Sequence, residues 1–326
     1  MPRRDPILNV EGDRFLLDGD PVDLWGIRTA SATASDDQTD HLIDQLDEYA
    51  AHGVNAVTVF YSGCSGAYYD PFSADGNELV GGHRERMNRI IEACAERDMV
   101  VIVGLFYQRV EYDLEDAAAV RQAVRTATQA VAPYGNVIIN IANEHTSHYW
   151  RRFAETFDLR NPDRLLELIA EVTVADPGRL VGGGGYHPET CAVIGRDDRS
   201  DVLMFDTGRE SLTNFDSGEM YDRLVQAGVT GKPIVNVETF GGYTGEFPRG
   251  VFPQDLRATY EAEVERAAAR PGLSLFFHNN RWCQTPDLPM RYDLGGAGTP
   301  ADPGMRWYFE HVEAVRRRHR PDADER

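Results

Sequence analysis

The chain has 326 residues, of which 42% are hydrophobic and 10% aromatic, enough to bury a large core and too apolar for a disordered chain. No apolar run approaches the roughly 20 residues that span a bilayer, and the first residues lack the apolar stretch of a secretory signal, so we expect a cytoplasmic protein without a membrane partner. The formal net charge of −20 disfavours nucleic acid as a partner, because its phosphates would be repelled.

Strand and helix patterns alternate along the chain. Two short strand patterns with turn residues between them predict an N-terminal β-hairpin over residues 7–22. Eight apolar runs rich in Val, Ile and Phe, typical of strands buried on both faces, follow at residues 23–27, 56–60, 100–106, 137–141, 180–183, 202–205, 234–237 and 273–277. Helical patterns lie at residues 40–52, 84–97, 116–131, 164–175, 218–227, 254–270 and 303–318. The short interval between 183 and 202 predicts a weak or absent helix.

Eight strand–helix units predict an α/β fold, a single (β/α)₈ barrel domain over residues 1–326 with 319–326 as a disordered tail. An open doubly wound sheet is the competing architecture, but no Gly-x-Gly-x-x-Gly follows the first strand. The four cysteines are widely spaced without a Cys-x-x-Cys pair, which fits scattered thiols better than a zinc site.

Two glutamates follow non-neighbouring predicted strands. Glu144 comes directly after the fourth run and Glu238 directly after the seventh. Reactive side chains of such barrels lie where strands end, and strands four and seven lie on opposite sides of the mouth. Acetal hydrolysis needs such a pair, with one carboxylic acid protonating the leaving oxygen and one carboxylate attacking the sugar carbon.

The chain resembles the clan A glycoside hydrolases, most closely the family 5 type of cellulases and mannanases. The resemblance rests on residues 15–26 as the opening hairpin and first strand, on Asn143-Glu144, and on residues 233–241 around Glu238. It implies that Glu144 is the general acid/base, Glu238 the nucleophile, Asn143 a donor to a sugar hydroxyl, and Trp282 a stacking platform. The implied activity is retaining hydrolysis of a β-linked oligosaccharide or glycoside without a cofactor or metal.

The chain departs from the family pattern at three strand ends. The usual arginine of strand two is missing, and Arg28 after strand one is a candidate substitute. Strand three ends in Tyr107-Gln108 instead of a histidine. Asp206 follows strand six, where the family often has a tyrosine that supports the nucleophile; Tyr186 and Tyr243 are the candidates for that hydroxyl.

Strand ends and long loops supply further candidate substrate contacts. Aromatic rings stack on the C–H faces of sugars, and loops after strands crowd the catalytic face. We expect substrate contacts from Arg28, Tyr69, Tyr186, His187, Tyr243 and His278.

Two alternatives remain open. Glu144, His187, Asp206 and Glu238 follow four successive strands and would suit a divalent-metal sugar isomerase or epimerase. A barrel that binds carbohydrate without turnover is the second alternative. The sequence specifies neither the sugar, the linkage, exo or endo action, nor the oligomeric state.

Overall fold

The computed structural model describes residues 6–64, 67–207, 216–240, 250–278 and 291–319. Eight parallel strands pair in a closed ring, β4 to β11 in chain order with β11 returning to β4, which confirms the predicted (β/α)₈ barrel. The barrel strands are β4 (Trp25–Arg28), β5 (Ala56–Phe60), β6 (Val100–Phe106), β7 (Val137–Ala142), β8 (Leu180–Gly185), β9 (Val202–Thr207), β10 (Ile234–Thr239) and β11 (Leu273–Phe277).

A small antiparallel sheet precedes the barrel. It has three strands, β1 (Leu8–Glu11), β2 (Arg14–Leu17) and β3 (Asp20–Val22), one more than the two strand patterns of the sequence indicate. Asp18 and Gly19 join β2 to β3 with φ values of 52° and 91°, and such a pair with positive φ matches the twist of a hairpin.

Helices follow the barrel strands and pack around them. They are α1 (Asp36–Ala51), α2 (His83–Ala95), α3 (Ala117–Val131), α4 (Pro162–Ala175), α5 (Pro188–Arg196), α6 (Ser217–Gln226), α7 (Gln254–Ala268) and α8 (Arg306–His319). Side chains cap several of them, as Asp116 does by accepting from the amides of Ala118 and Ala119. Within the described ranges, none of these helices combines the length and apolar character needed to cross a membrane.

The segment between the fifth and sixth barrel strands differs from its prediction. A helix of 9 residues, α5, lies where the sequence predicts a weak or absent one. Strand β8 also extends through the glycine run to Gly185 instead of ending at residue 183. A Cβ at Gly182 or Gly184 would lie 1.8 Å or 1.5 Å from a carbonyl oxygen of β9, so this strand is glycine-rich because it approaches its neighbour closely.

The apolar core has two parts. The larger one lies between the barrel and its helices. The smaller one fills the barrel interior and includes Val100, Ile102, Ile138, Val202, Met204, Val235, Val237 and Phe276. Along β9, the inward-facing Val202 and Met204 are followed two residues later by Asp206, so the apolar filling ends below the carboxyl ends of the strands. Of the predicted tail, residues 320–326 lie outside the described residues, and α8 includes His319.

Candidate active site

The turn after β7 positions Glu144. Its φ of 41° lies in the left-handed region, which is uncommon for a residue with a side chain. The Ser147 amide donates to the Glu144 carbonyl oxygen at 2.7 Å, and the Trp150 indole donates to the carbonyl oxygens of Asn143 and Glu144 at 3.1 Å each. These bonds hold a strained backbone in place, as is typical of functional sites.

A β-bulge positions Glu238. Val235 and Val237 both belong to the apolar cluster inside the barrel, so strict alternation along β10 would turn Glu238 outward. The pairing of β10 with β9 shifts register between Asn236 and Glu238, and this shift turns Glu238 back toward the interior. Phe240, two residues after Glu238, has a φ of 58°, so a left-handed residue lies just beyond the end of both β7 and β10.

Three polar side chains connect the two glutamates. Fully buried Arg28 donates from one terminal nitrogen to Asn143 Oδ1 at 2.8 Å, and the same nitrogen lies 3.1 Å from Glu238 Oε2. The Asn143 amide donates to Gln108 Oε1 at 2.9 Å, and the Gln108 amide donates to Glu144 Oε2 at 2.5 Å. The structure therefore brings together four residues that the sequence identified as site candidates, Arg28, Asn143, Glu144 and Glu238.

Glu238 also has a histidine beside it. The Nε2 atom of His278, a predicted substrate contact after β11, lies 3.7 Å from Glu238 Oε1. Burial alone would raise the pKa of Glu238, but the electrostatic effects of Arg28, His278 and Arg109 lower it below its usual value. Glu238 is thus a carboxylate near neutral pH.

Glu144 has the opposite electrostatic surroundings. Burial and the negative charge of Glu238 raise the pKa of Glu144 to about 7, although Arg28, Arg109 and the Gln108 hydrogen bond act in the other direction. One glutamate therefore holds a proton at a pH where the other is ionised. Such a pair can donate a proton and present an anion at the same mouth.

Three side chains around the pair have roles that the sequence did not indicate. Gln108 links Asn143 to Glu144, and the charge of Arg109 acts on both glutamates. Asp206 adds a third carboxyl group, and burial together with the charges of Glu238 and Glu144 raises its pKa well above the usual value. Gln108 and Arg109 follow β6 and Asp206 lies near the end of β9, and this position at the carboxyl ends of strands is the only signal that pointed to them.

The other predicted substrate contacts lie in different surroundings. Half-buried Tyr186 and His187 follow β8 with ring centroids 4.6 Å apart, and burial and then the charge of Glu144 raise the pKa of Tyr186. Tyr69 bonds the Thr33 hydroxyl at 3.0 Å and stacks on His83 at 4.2 Å, so the structure does not bring it into the glutamate network. Trp282 and Tyr243 lie outside the described residues.

The described part of the chain contains no group of three or more His, Cys, Asp or Glu side chains arranged to hold a metal ion. Glu144, His187, Asp206 and Glu238, the residues of the isomerase alternative, are all among the described residues and form no such group there.

Comparison with known proteins finds similarity in structure but no match in sequence. No known family and no curated protein matches the sequence. A glycoside hydrolase family 5 protein from Bacteroides vulgatus is 16% identical, with a TM-score of 0.59 over 84% of this chain and 62% of its own. An endo-1,4-β-mannanase from Rhizomucor miehei is 14% identical, with a TM-score of 0.60 over 83% of this chain and 90% of its own. A β-glucanase from Saccharophagus degradans, solved with cellotetraose, is 13% identical, with a TM-score of 0.61 over 97% and 95%.

The barrel is thus of the kind found in glycoside hydrolases. A second structure from Bacteroides vulgatus has a TM-score of 0.66, and this chain covers 61% of that protein. This chain therefore spans about three-fifths of the length of both proteins from that organism.

Proposed function

We propose that this protein is a retaining glycoside hydrolase that cleaves a β-linked oligosaccharide or glycoside. The observation that carries the proposal is the network in which Arg28, Asn143 and Gln108 connect Glu144 to Glu238, and the opposite directions of the two glutamate pKa shifts agree with it. The fold supports it, since structures of the same architecture include a mannanase and a β-glucanase bound to cellotetraose.

The first step forms a glycosyl-enzyme. Glu144 gives its proton to the leaving oxygen while the Glu238 carboxylate attacks the anomeric carbon, so the bond between that carbon and the leaving oxygen breaks as an ester forms. Arg28 keeps Glu238 ionised for this attack. Glu144 holds the proton up to a pH of about 7.

The second step releases the sugar. Once Glu238 is an ester, it no longer carries the negative charge that helps to raise the pKa of Glu144. The pKa of Glu144 then falls, and its carboxylate accepts a proton from water as the water oxygen attacks the anomeric carbon and displaces Glu238. The same electrostatic coupling thus suits Glu144 to act first as an acid and then as a base.

The side-chain amide of Asn143 can donate a hydrogen bond to the substrate. Its amide nitrogen carries two hydrogens, and among the described residues it donates one hydrogen bond, to Gln108. The second hydrogen suits a sugar hydroxyl beside the reacting carbon. Because Arg28 and Gln108 fix both ends of the Asn143 amide, its orientation is set before substrate binds.

Intact-mass analysis with a panel of 2-fluoro β-glycosides tests the proposal. We expect one glycoside to leave a covalent adduct on the wild-type protein, which would identify the glycone, and none on Glu238→Ala. Glu263→Gln is the matched control, because Glu263 is another buried glutamate, on α7, whose carboxylate accepts from the Ser217 amide of α6, and this variant should still form the adduct. An adduct on Glu238→Ala, or glycan binding without adduct or turnover across the panel, would contradict the proposal.

A further inference from the structure

A third carboxyl group lies beside Glu238 on the neighbouring strand. Asp206 of β9 and Glu238 of β10 are register partners in the parallel sheet, so their side chains start from adjacent positions. Val202 and Met204 face the barrel interior, and alternation gives Asp206 the same direction. Only 6% of Asp206 is exposed.

The surroundings of Asp206 are unsuited to a second anion. Its Oδ1 atom is buried without a hydrogen-bond partner among the residues that the structure describes. A buried carboxylate without partners is strongly destabilising, and such groups take up a proton instead. Burial first, and then the charges of Glu238 and Glu144, raise the pKa of Asp206 well above its usual value, against the opposing effect of Arg28.

A protonated Asp206 has one hydrogen to donate, and the groups around it determine which acceptor it finds. The titratable and charged groups whose charge acts on Asp206, or is acted on by it, are Glu238 of β10, Glu144 after β7, Arg28 of β4, Tyr186 after β8 and Cys191 of α5. Arg28 can only donate, and Glu144 keeps its own proton up to a pH of about 7. Glu238 is the ionised acceptor and the register partner.

We propose that Asp206 is a positioning residue that, as a neutral carboxylic acid, donates a hydrogen bond to the Glu238 carboxylate and holds it for attack. The proposal rests on the proposed function. Arg28 lies 3.1 Å from Glu238 Oε2 and His278 lies 3.7 Å from Oε1, and a third partner from β9 would restrict the carboxylate to one rotamer. Asp206 itself forms and breaks no bond to the sugar.

The first test needs no substrate. Infrared spectra at pH 7 are compared between Glu144→Gln and the double variant Glu144→Gln with Asp206→Asn. The first replacement removes the other titrating acid of the site, and carboxylic acids elsewhere cancel in the difference. We expect a carboxylic-acid C=O band that Asp206→Asn removes, and whose frequency shifts when Glu238→Gln replaces the carboxylate acceptor by an amide. Absence of that band, or a band unaffected by Glu238→Gln, would overturn the proposal.

The second test separates positioning from sugar binding. We expect Asp206→Ala to lower kcat about 10- to 100-fold with KM nearly unchanged, because the nucleophile is misplaced while the sugar still binds. Asp206→Asn keeps a donor and should recover part of the loss. The matched control is Asp201→Asn at the other end of β9, where Asp201 accepts from the Val181 amide and burial also raises its pKa.

The outcomes are distinguishable from failure of the proposed function. A raised KM with unchanged kcat in Asp206→Ala, or equal losses in Asp206→Asn and Asp206→Ala, would contradict the positioning role. If the wild-type protein turns over no glycoside, the proposed function fails, while the infrared comparison still decides whether Asp206 carries a proton directed at Glu238.

Discussion

The barrel interior has two layers built on the same strands. The lower layer is apolar and comprises Val100, Ile102, Ile138, Val202, Met204, Val235 and Val237. The upper layer is polar and comprises Arg28, Gln108, Asn143, Asp206, Glu238 and His278, all buried. Burial of the lower-layer side chains stabilises the fold, whereas burial of the upper-layer side chains separates the pKa values of neighbouring carboxyl groups. Mutations in the upper layer should therefore affect both stability and chemistry, whereas mutations in the lower layer should affect stability alone.

Glu144→Gln should have the largest effect on activity. Unlike most substitutions of a buried residue, it should also stabilise the protein at high pH. The proposed acid is lost, so kcat for a glycoside with a poor leaving group should fall about 10²- to 10⁴-fold. The folded pKa of Glu144 is about 7, above its ordinary value of 4.5. Between these values the unfolded chain loses the proton while the folded chain keeps it, so the free energy of unfolding falls as pH rises.

Glutamine cannot titrate, so this variant should be more stable than wild type at pH 8, by up to about 3 kcal/mol, and similar to it at pH 4.5. Urea unfolding at both pH values measures the difference. An equal effect at pH 4.5 and pH 8 would show that the stability of this site does not depend on a buried ionisation.

Arg28→Met should destabilise the protein by about 3–5 kcal/mol at pH 7, because Glu238 would be left as a buried charge without its cation. Arg28 lowers the pKa of Glu238, so its removal raises that pKa and the acidic limb of kcat/KM should move to higher pH. The destabilisation caused by Arg28→Met should shrink as pH falls, because Glu238 takes up a proton and is then no longer a buried charge. A pH-independent loss would assign Arg28 a packing role only.

Met204→Ala tests the lower layer, two residues before Asp206 on the same strand. Removing this buried side chain should destabilise the protein by about 2–5 kcal/mol through lost packing. Both limbs of the pH profile should stay where they are in wild type, since no charge changes. A displaced limb would show that the two layers are electrostatically or mechanically coupled.

The difference between the layers also explains what the sequence could predict. Apolar runs specify strands, and eight of them specify the ring, so the placement of Glu144 and Glu238 at strand ends followed from periodicity and order alone. The short helix α5 was missed because nine residues between a glycine strand and β9 carry little periodic signal.

The partners in the upper layer were not predictable. Arg28 and Asn143 are 115 positions apart in sequence, and their hydrogen bond exists only because the ring closes. The inward orientation of Glu238 depends on a register shift that the local sequence pattern does not indicate. Roles that depend on approach in space, such as the link through Gln108 or the raised pKa of Asp206, therefore required the structure. Trp282 and Tyr243 remain predictions.

Gln108→Leu should have the smallest effect and is the finest probe of the upper layer. The Gln108 amide donates to Glu144 Oε2 at 2.5 Å and thereby favours the ionised form, so its loss should raise the pKa of Glu144 further. The basic limb of kcat/KM should then move to higher pH, with kcat at pH 6 within about 3-fold of wild type, because Glu144 is already protonated there. Gln122→Leu in α3 is the matched control, since Gln122 bonds only Thr126 among the described residues. A basic limb that moves to lower pH would mean that Gln108 stabilises the protonated acid, and the electrostatic account of Glu144 would have to be reversed.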